Sequence, residues 1–152
     1  MTEASSRGEL PAEGGARRLV VGYDGSPPAH RAARAAIGLA QPDVGRIWFV
    51  HATQPDRRRT EPITEEEIRS HARAAIRAME SLVADCGARG LVAEAVSREG
   101  PAAEVLLRVA SEVGADLIVV GTRGRGDAGR VLLGSVSLRV LSDSRLPTVV
   151  VP

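Results

Sequence analysis

Five short apolar runs, separated by stretches with helical spacing, narrow the possible folds more than any other feature of this 152-residue chain. The runs are Leu19-Val20-Val21-Gly22-Tyr23, Ile47-Trp48-Phe49-Val50, Leu91 to Ser97, Asp116-Leu117-Ile118-Val119-Val120 and Thr148-Val149-Val150-Val151. Unbroken apolar runs of this length suit strands buried on both faces. Strands that alternate with helices predict a parallel sheet with helices on both faces, joined by right-handed crossovers. The expectation is a single-domain, doubly wound α/β fold of five strands. The order 3-2-1-4-5 would put strands one and four side by side, where the winding reverses and ligands collect beyond the carboxyl ends.

The helical stretches carry their own punctuation. Ser26 offers an N-cap with Pro27 at the first helical position, opening a helix to Ala40 whose larger apolar side chains are Ile37 and Leu39. Thr64 and Glu67 have the spacing of a capping box. Behind them Ile68, Ala72, Ala75, Ile76, Met79 and Val83 recur at helical spacing as far as Gly87. Pro101 starts a third helix with a stripe of Val105, Leu106, Val109 and Val113, and Gly114 ends it. Glu94 inside the third strand marks that strand as lying at or near an edge. Residues 1–16 hold almost no large apolar side chain and cannot repay their ordering entropy, so they are read as a disordered tail ahead of a domain over 17–152.

Charge and composition remove several function classes. The net charge is +1, which gives no electrostatic case for nucleic acid or an acidic membrane. Aromatic residues are 2% of the chain, too few for the platforms on which single-stranded bases stack. All 20 cationic residues are Arg, so there is no Lys for a Walker A loop or a Schiff base. Cys86 has no partner for an internal disulfide and reads as a small buried apolar residue. With neither a membrane-length apolar stretch nor the apolar run of a signal peptide, the expected location is cytoplasmic.

The chemistry is concentrated in Gly121-Thr122-Arg123-Gly124-Arg125-Gly126-Asp127-Ala128-Gly129, continuing to Gly134-Ser135-Val136-Ser137. Four glycines in the first nine residues remove side-chain bulk, so backbone amides can approach a ligand. Arg123 and Arg125 add positive charge. Ser135, Val136 and Ser137 open a helix, whose unpaired amides and partial positive charge favour anions. A Gly-rich surface loop with no ligand is the plainer reading. A strand end, paired Arg, a later Gly and a Ser-x-Ser helix start together point to a polyphosphate. After the first strand, Asp24 can accept hydrogen bonds from a ribose or base, or it can cap the first helix beside Ser26.

Gly121-x2-Gly124-x9-Gly134-Ser135, with Asp24-Gly25-Ser26 after the first strand, resembles the ATP-binding branch of the universal stress protein family. The resemblance covers about residues 17–152. It implies an adenine pocket involving Gly22, Asp24, the backbone at Ala52, and Val120. It also implies triphosphate contacts from Gly121, Arg123, Gly124 and Arg125, then Gly134, Ser135, Val136 and Ser137. Mg2+ or Mn2+ would be held mainly by the phosphates, with no protein metal site. Members of the family commonly pair through the last strand, so Thr148 to Val151 is the implied homodimer edge, with a further protein partner unknown.

His30, His51 and His71 lack ligand spacing, and His51 reads as a packing residue near the crevice. Arg57-Arg58-Arg59 reads as a solvated loop. Asp127 can orient a water beside the terminal phosphate or cap its loop, and no clear general base is arranged, so no catalytic residue is assigned. A nucleotide-responsive regulatory module is the leading function. A slow ATP hydrolase and a nucleotide-free interaction dimer remain alternatives.

Overall fold

A computed structural model describes residues 14–53, 63–122 and 133–152. The elements are β1 (Arg18–Gly22), α1 (Pro27–Leu39), β2 (Arg46–Thr53), α2 (Glu65–Gly87), β3 (Val92–Glu99), α3 (Ala102–Glu112), β4 (Leu117–Gly121), α4 (Ser135–Asp143) and β5 (Thr148–Val151). All five strands are parallel, in the order β3-β2-β1-β4-β5. The doubly wound α/β architecture is therefore as expected. Among the described residues, no helix is long and apolar enough to cross a membrane.

Alternation along the strands divides the core into two layers. Leu19, Val21, Ile47, Phe49, Leu117 and Val119 face α1 and α2, while Val20, Trp48, Val50, Ile118 and Val120 face α3 and α4. β1 and β4 are buried on both sides because they lie at the centre, which is why they read as unbroken apolar runs. β3 is an edge strand with mostly exposed residues, in keeping with Glu94.

The local signals map onto real caps. Ser26 Oγ accepts the Ala29 N–H at 3.3 Å, and Pro27 is the first residue of α1. Thr64 and Glu67 form the reciprocal capping box of α2. Gly114, with φ +60°, ends the turn after α3 in a conformation that side chains resist.

Several details depart from the sequence reading. β3 runs over Val92–Glu99 instead of Leu91 to Ser97, because it pairs with β2 along that strand's whole length to Thr53. The buried stripe of α2 is Ala75, Met79, Leu82 and Cys86; Ile68, Ala72, Ile76 and Val83 are only half-buried, since the single edge strand β3 leaves part of that face uncovered. Leu39, expected to pack, is 40% exposed at the end of α1. Ala16, at the end of the segment read as a tail, is 1% exposed; its N–H donates to Leu39 O and its carbonyl accepts from Gln41 N–H.

The amino ends of β1 and β4 are fastened by Asp116. Its Oδ2 accepts the N–H groups of Arg17 and Arg18 at 3.0 and 3.2 Å, and its own N–H donates to Arg18 O. Arg18 then donates through Nε to Val113 O at 2.6 Å, with its guanidinium 5.3 Å from the Trp48 ring centroid.

Two predictions follow from the packing. A Cβ at Gly121 would lie 2.8 Å from Pro28 C and 3.0 Å from Ala29 N, backbone atoms that cannot yield cheaply. Gly121→Ala is expected to cost about 1–3 kcal/mol by overpacking. Gly38→Ala, in open space on α1, should instead stabilise by about 0.5–1 kcal/mol; urea melts of both variants check the opposite signs. Burial, then the neighbouring Asp85, raises the Cys86 thiol above its ordinary 9.0, and burial, then Asp24, raises Tyr23 above 10.0. Both groups bind their protons more tightly when folded. Their stabilisation is whole below the unfolded values and disappears as pH rises through the folded ones. Stability should therefore fall above about pH 9, and Cys86→Ala should flatten the first part of that decline in pH-dependent urea melts.

Candidate functional site

The carboxyl ends of β1, β2 and β4 share one edge of the sheet. β1 pairs with both neighbours, Val21 opposite Phe49 on one side and opposite Val119 on the other. The chain consequently leaves β1 at Tyr23 and β4 at Thr122 side by side at the same sheet edge, as the order β3-β2-β1-β4-β5 requires.

Three helices follow the strands of this edge; α2 is closed by its capping box, and the N-termini of α1 and α4, which follow the paired strands β1 and β4, dispose their donors differently. α1 begins with Pro27 and Pro28, which have no N–H to offer. Its next two amides are taken, Ala29 N–H by Ser26 Oγ and His30 N–H by Ser26 O. α1 is closed to an anion. α4 begins on Gly134 with no side-chain cap, and its first intrahelical bond runs from Leu138 N–H to Gly134 O at 3.0 Å. The N–H groups of Ser135, Val136 and Ser137 thus lie outside the helical ladder, at the positive end of the helix.

The glycine motif closes on itself. Gly134 N–H donates to Thr122 O, and Ser137 Oγ lies 3.1 Å from the same carbonyl and 3.0 Å from Gly134 O. Thr122 N–H in turn donates to Val151 O at 2.8 Å, carrying the β4–β5 ladder one residue further. Thr122, inside the x2 interval, and Gly134, at the far end of the x9 interval, are therefore held together at the tip of β4. Thr122 lay within the Gly121-to-Arg125 stretch but was given no role of its own; its place one residue past the best strand is the signal that could have marked it.

The predicted site residues divide into three groups. Gly22, Asp24, Ala52, Gly121, Gly134, Ser135 and Val136 belong to this carboxyl edge. Asp24 Oδ1 accepts the Ser26 N–H at 2.9 Å, so the helix-capping role is present. Gly22 faces α3, where a Cβ would lie 3.0 Å from Leu106 Cδ1 and 3.3 Å from Val120 Cγ1. Val120 and Ser137 are at the edge but turned inward. The Val120 side chain is buried in the core under α3, and Ser137 is 2% exposed, with its hydroxyl directed at backbone carbonyls. Arg123, Gly124 and Arg125 lie outside the described residues, as do Asp127 and Arg57-Arg58-Arg59. Among the described residues, no three His, Cys, Asp or Glu side chains cluster to hold a metal.

His51 is 9% exposed at the end of β2, and its Nδ1 lies 3.0 Å from Tyr23 O. The Tyr23 N–H donates to Val50 O at 2.8 Å, so both backbone groups of Tyr23 are held from the β2 side.

A parallel five-stranded sheet, wound in opposite directions from β1 and β4, with a helix start that has no side-chain cap beside its switch point, defines a doubly wound α/β domain. The family model described as "Universal stress protein family" matches residues 15–152. A universal stress protein of Thermus aquaticus is 35% identical over 136 residues, covering 89% of this chain and 98% of the relative. Of solved structures, the universal stress protein UspA from Lactobacillus plantarum has the same fold, with a TM-score of 0.74 at 22% identity over 90% of this chain and 97% of that one. A universal stress protein in complex with cAMP has a TM-score of 0.67 at 28% identity, covering 90% of this chain and 97% of that chain. This chain belongs to the universal stress protein family.

The clasp at Thr122 yields a stability prediction. Ser137→Ala removes a buried hydroxyl and leaves its carbonyl acceptors with one donor fewer, at an expected cost of about 1 kcal/mol. Ser135→Ala, on the exposed side of the same helix start, should change stability by no more than about 0.5 kcal/mol. Paired thermal melts distinguish the two.

Proposed function

We propose that this protein binds ATP at the carboxyl edge of β1, β2 and β4 and acts as a nucleotide-responsive regulatory homodimer in stress response. The observation that carries the reading is the contrast between the two helix N-termini. Prolines and Ser26 consume the donors of α1, whereas α4 leaves three successive backbone N–H groups outside its ladder at the tip of β4. Backbone donors at the positive end of a helix suit a phosphate chain without any side-chain nucleophile or base. The glycine motif that leads into α4 supports the same ligand, and the relative described as a complex with cAMP supports an adenine nucleotide more broadly.

In this reading Ser135, Val136 and Ser137 meet the phosphates through their backbones, joined by Gly121, Arg123, Gly124, Arg125 and Gly134. Asp24 faces the ribose, and the Ala52 backbone meets the base beside Gly22 and Val120. Mg2+ or Mn2+ accompanies the phosphates and neutralises part of their charge. The donor set, neutral amides and Arg, fits a metal-bound triphosphate, and the role proposed for the site is binding. The pairing surface is β5, a sheet-edge strand whose residues Thr148 to Val151 are all half-buried.

Calorimetry on the purified chain with ATP, AMP and cAMP, each with Mg2+, tests this. One ATP per chain is expected, bound at least about tenfold more tightly than AMP because the α4 amides read the distal phosphates. Gly134→Leu, which puts a branched side chain at the start of α4, should abolish that preference. Tighter binding of cAMP than of ATP, unaffected by Gly134→Leu, would overturn the triphosphate reading. ADP release above a blank and lost in Asp127→Ala would move the protein to the slow hydrolases.

A further inference from the structure

The hydrogen-bond pattern of β2 alternates strictly. Val92 N–H donates to Gly45 O and Gly100 N–H to Thr53 O, so odd-numbered residues of this stretch turn their backbone groups toward β3. Arg46 N–H donates to Arg17 O and Tyr23 N–H to Val50 O, so even-numbered residues turn theirs toward β1. Ala52 is even. Its N–H and C=O therefore project on the β1 side of the strand, where the next rung of the ladder would join Ala52 N–H to Tyr23 O.

That rung is missing. The β1–β2 register ends at Gly22 opposite Val50. The carbonyl of Tyr23 lies instead 3.0 Å from His51 Nδ1, on a side chain that is almost wholly buried. A carbonyl oxygen only accepts, so the imidazole must carry its proton on Nδ1 to make this bond. An even-numbered backbone pair is left pointing out of the fork between β1 and β2 at the crevice edge.

We infer that His51 is the positioning residue for base selection: by taking the Tyr23 carbonyl it holds the β1–β2 fork open and keeps the Ala52 backbone N–H and C=O available to a purine edge. The inference rests on the reading that Ala52 meets the base. A strand-edge N–H and C=O from one residue match adenine, which offers an acceptor at N1 beside a donor at N6. Guanine carries the opposite pair, a donor at N1 and an acceptor at O6, and meets like with like. A pocket that leaves buried polar groups unpaired rejects the wrong ligand strongly. His51 touches neither base nor phosphate in this account. It acts through Tyr23.

Two measurements on the unliganded wild-type protein address the fork directly. The nitrogen-15 spectrum of His51 should show the Nδ1–H tautomer, and Ala52 N–H should exchange with solvent at least about tenfold faster than Val50 N–H, which lies inside the ladder. The opposite tautomer, or an Ala52 amide as protected as that of Val50, overturns the inference whether or not any nucleotide binds.

The ligand arm uses ATP, GTP and inorganic triphosphate with His51→Phe and His51→Asn. Phe keeps a ring but has no donor, while the Asn amide nitrogen occupies the same branch position as His Nδ1. His51→Phe should lower the ATP-over-GTP preference about tenfold, leave triphosphate binding unchanged and slow exchange at Ala52 as the rung forms. His51→Asn should restore the preference. A folded His51→Phe protein with unchanged selectivity overturns the inference. A wild type that binds triphosphate but does not distinguish ATP from GTP refutes the role of Ala52, and one that binds neither refutes the proposed function while the exchange data still decide the fork.

Discussion

The parallel pairing of β1 with β4 is the constraint from which the rest of the molecule follows. These two strands are distant in sequence and form the centre of the sheet, with chain leaving them for opposite faces. Their apolar residues are buried on both sides, so burial favours the pairing without regard to direction or register. Asp116 supplies direction and register by gathering the Arg17 and Arg18 amides at one end. With the amino ends fastened there, the carboxyl ends of β1 and β4 emerge side by side at one sheet edge.

At that edge the chain disposes of its backbone donors and acceptors selectively. Most buried amides in a folded protein find a partner. At α1 they do so completely, through two prolines and a serine cap. At α4 the cap residue is glycine, which has no side chain to reach back, and the first three amides stay outside the ladder. On the neighbouring strand, the Tyr23 carbonyl is satisfied by a histidine instead of the next rung. Both features fall at the same sheet edge.

The glycines show how one residue type carries different physical demands. Gly25 adopts φ +81° with open space around it, so its requirement is conformational. Gly121 has open dihedral space but no room, because the start of α1 lies against it. In the sequence Gly121 reads as one of the glycines that let a ligand approach. For Gly121 the close neighbour is the protein's own helix, and that distinction required the packing of α1 across β4.

What the residues alone determined was the periodic part of the protein. Strand runs, capping signals and the doubly wound class depend on local spacing and on the few ways such units can wind, whereas the order of the strands, offered by the sequence as one arrangement, was decided by the fold. The edge position of β3 was legible through Glu94. Tertiary structure decided which donors were spent and which were not. The inward turn of Ser137, the clasp on Thr122, the closed start of α1 and the hold of His51 on Tyr23 each join residues whose distance apart is set by folding. Spacing along a chain cannot encode these, because a hydrogen bond depends on where two groups end up in space and on which other groups reach them first.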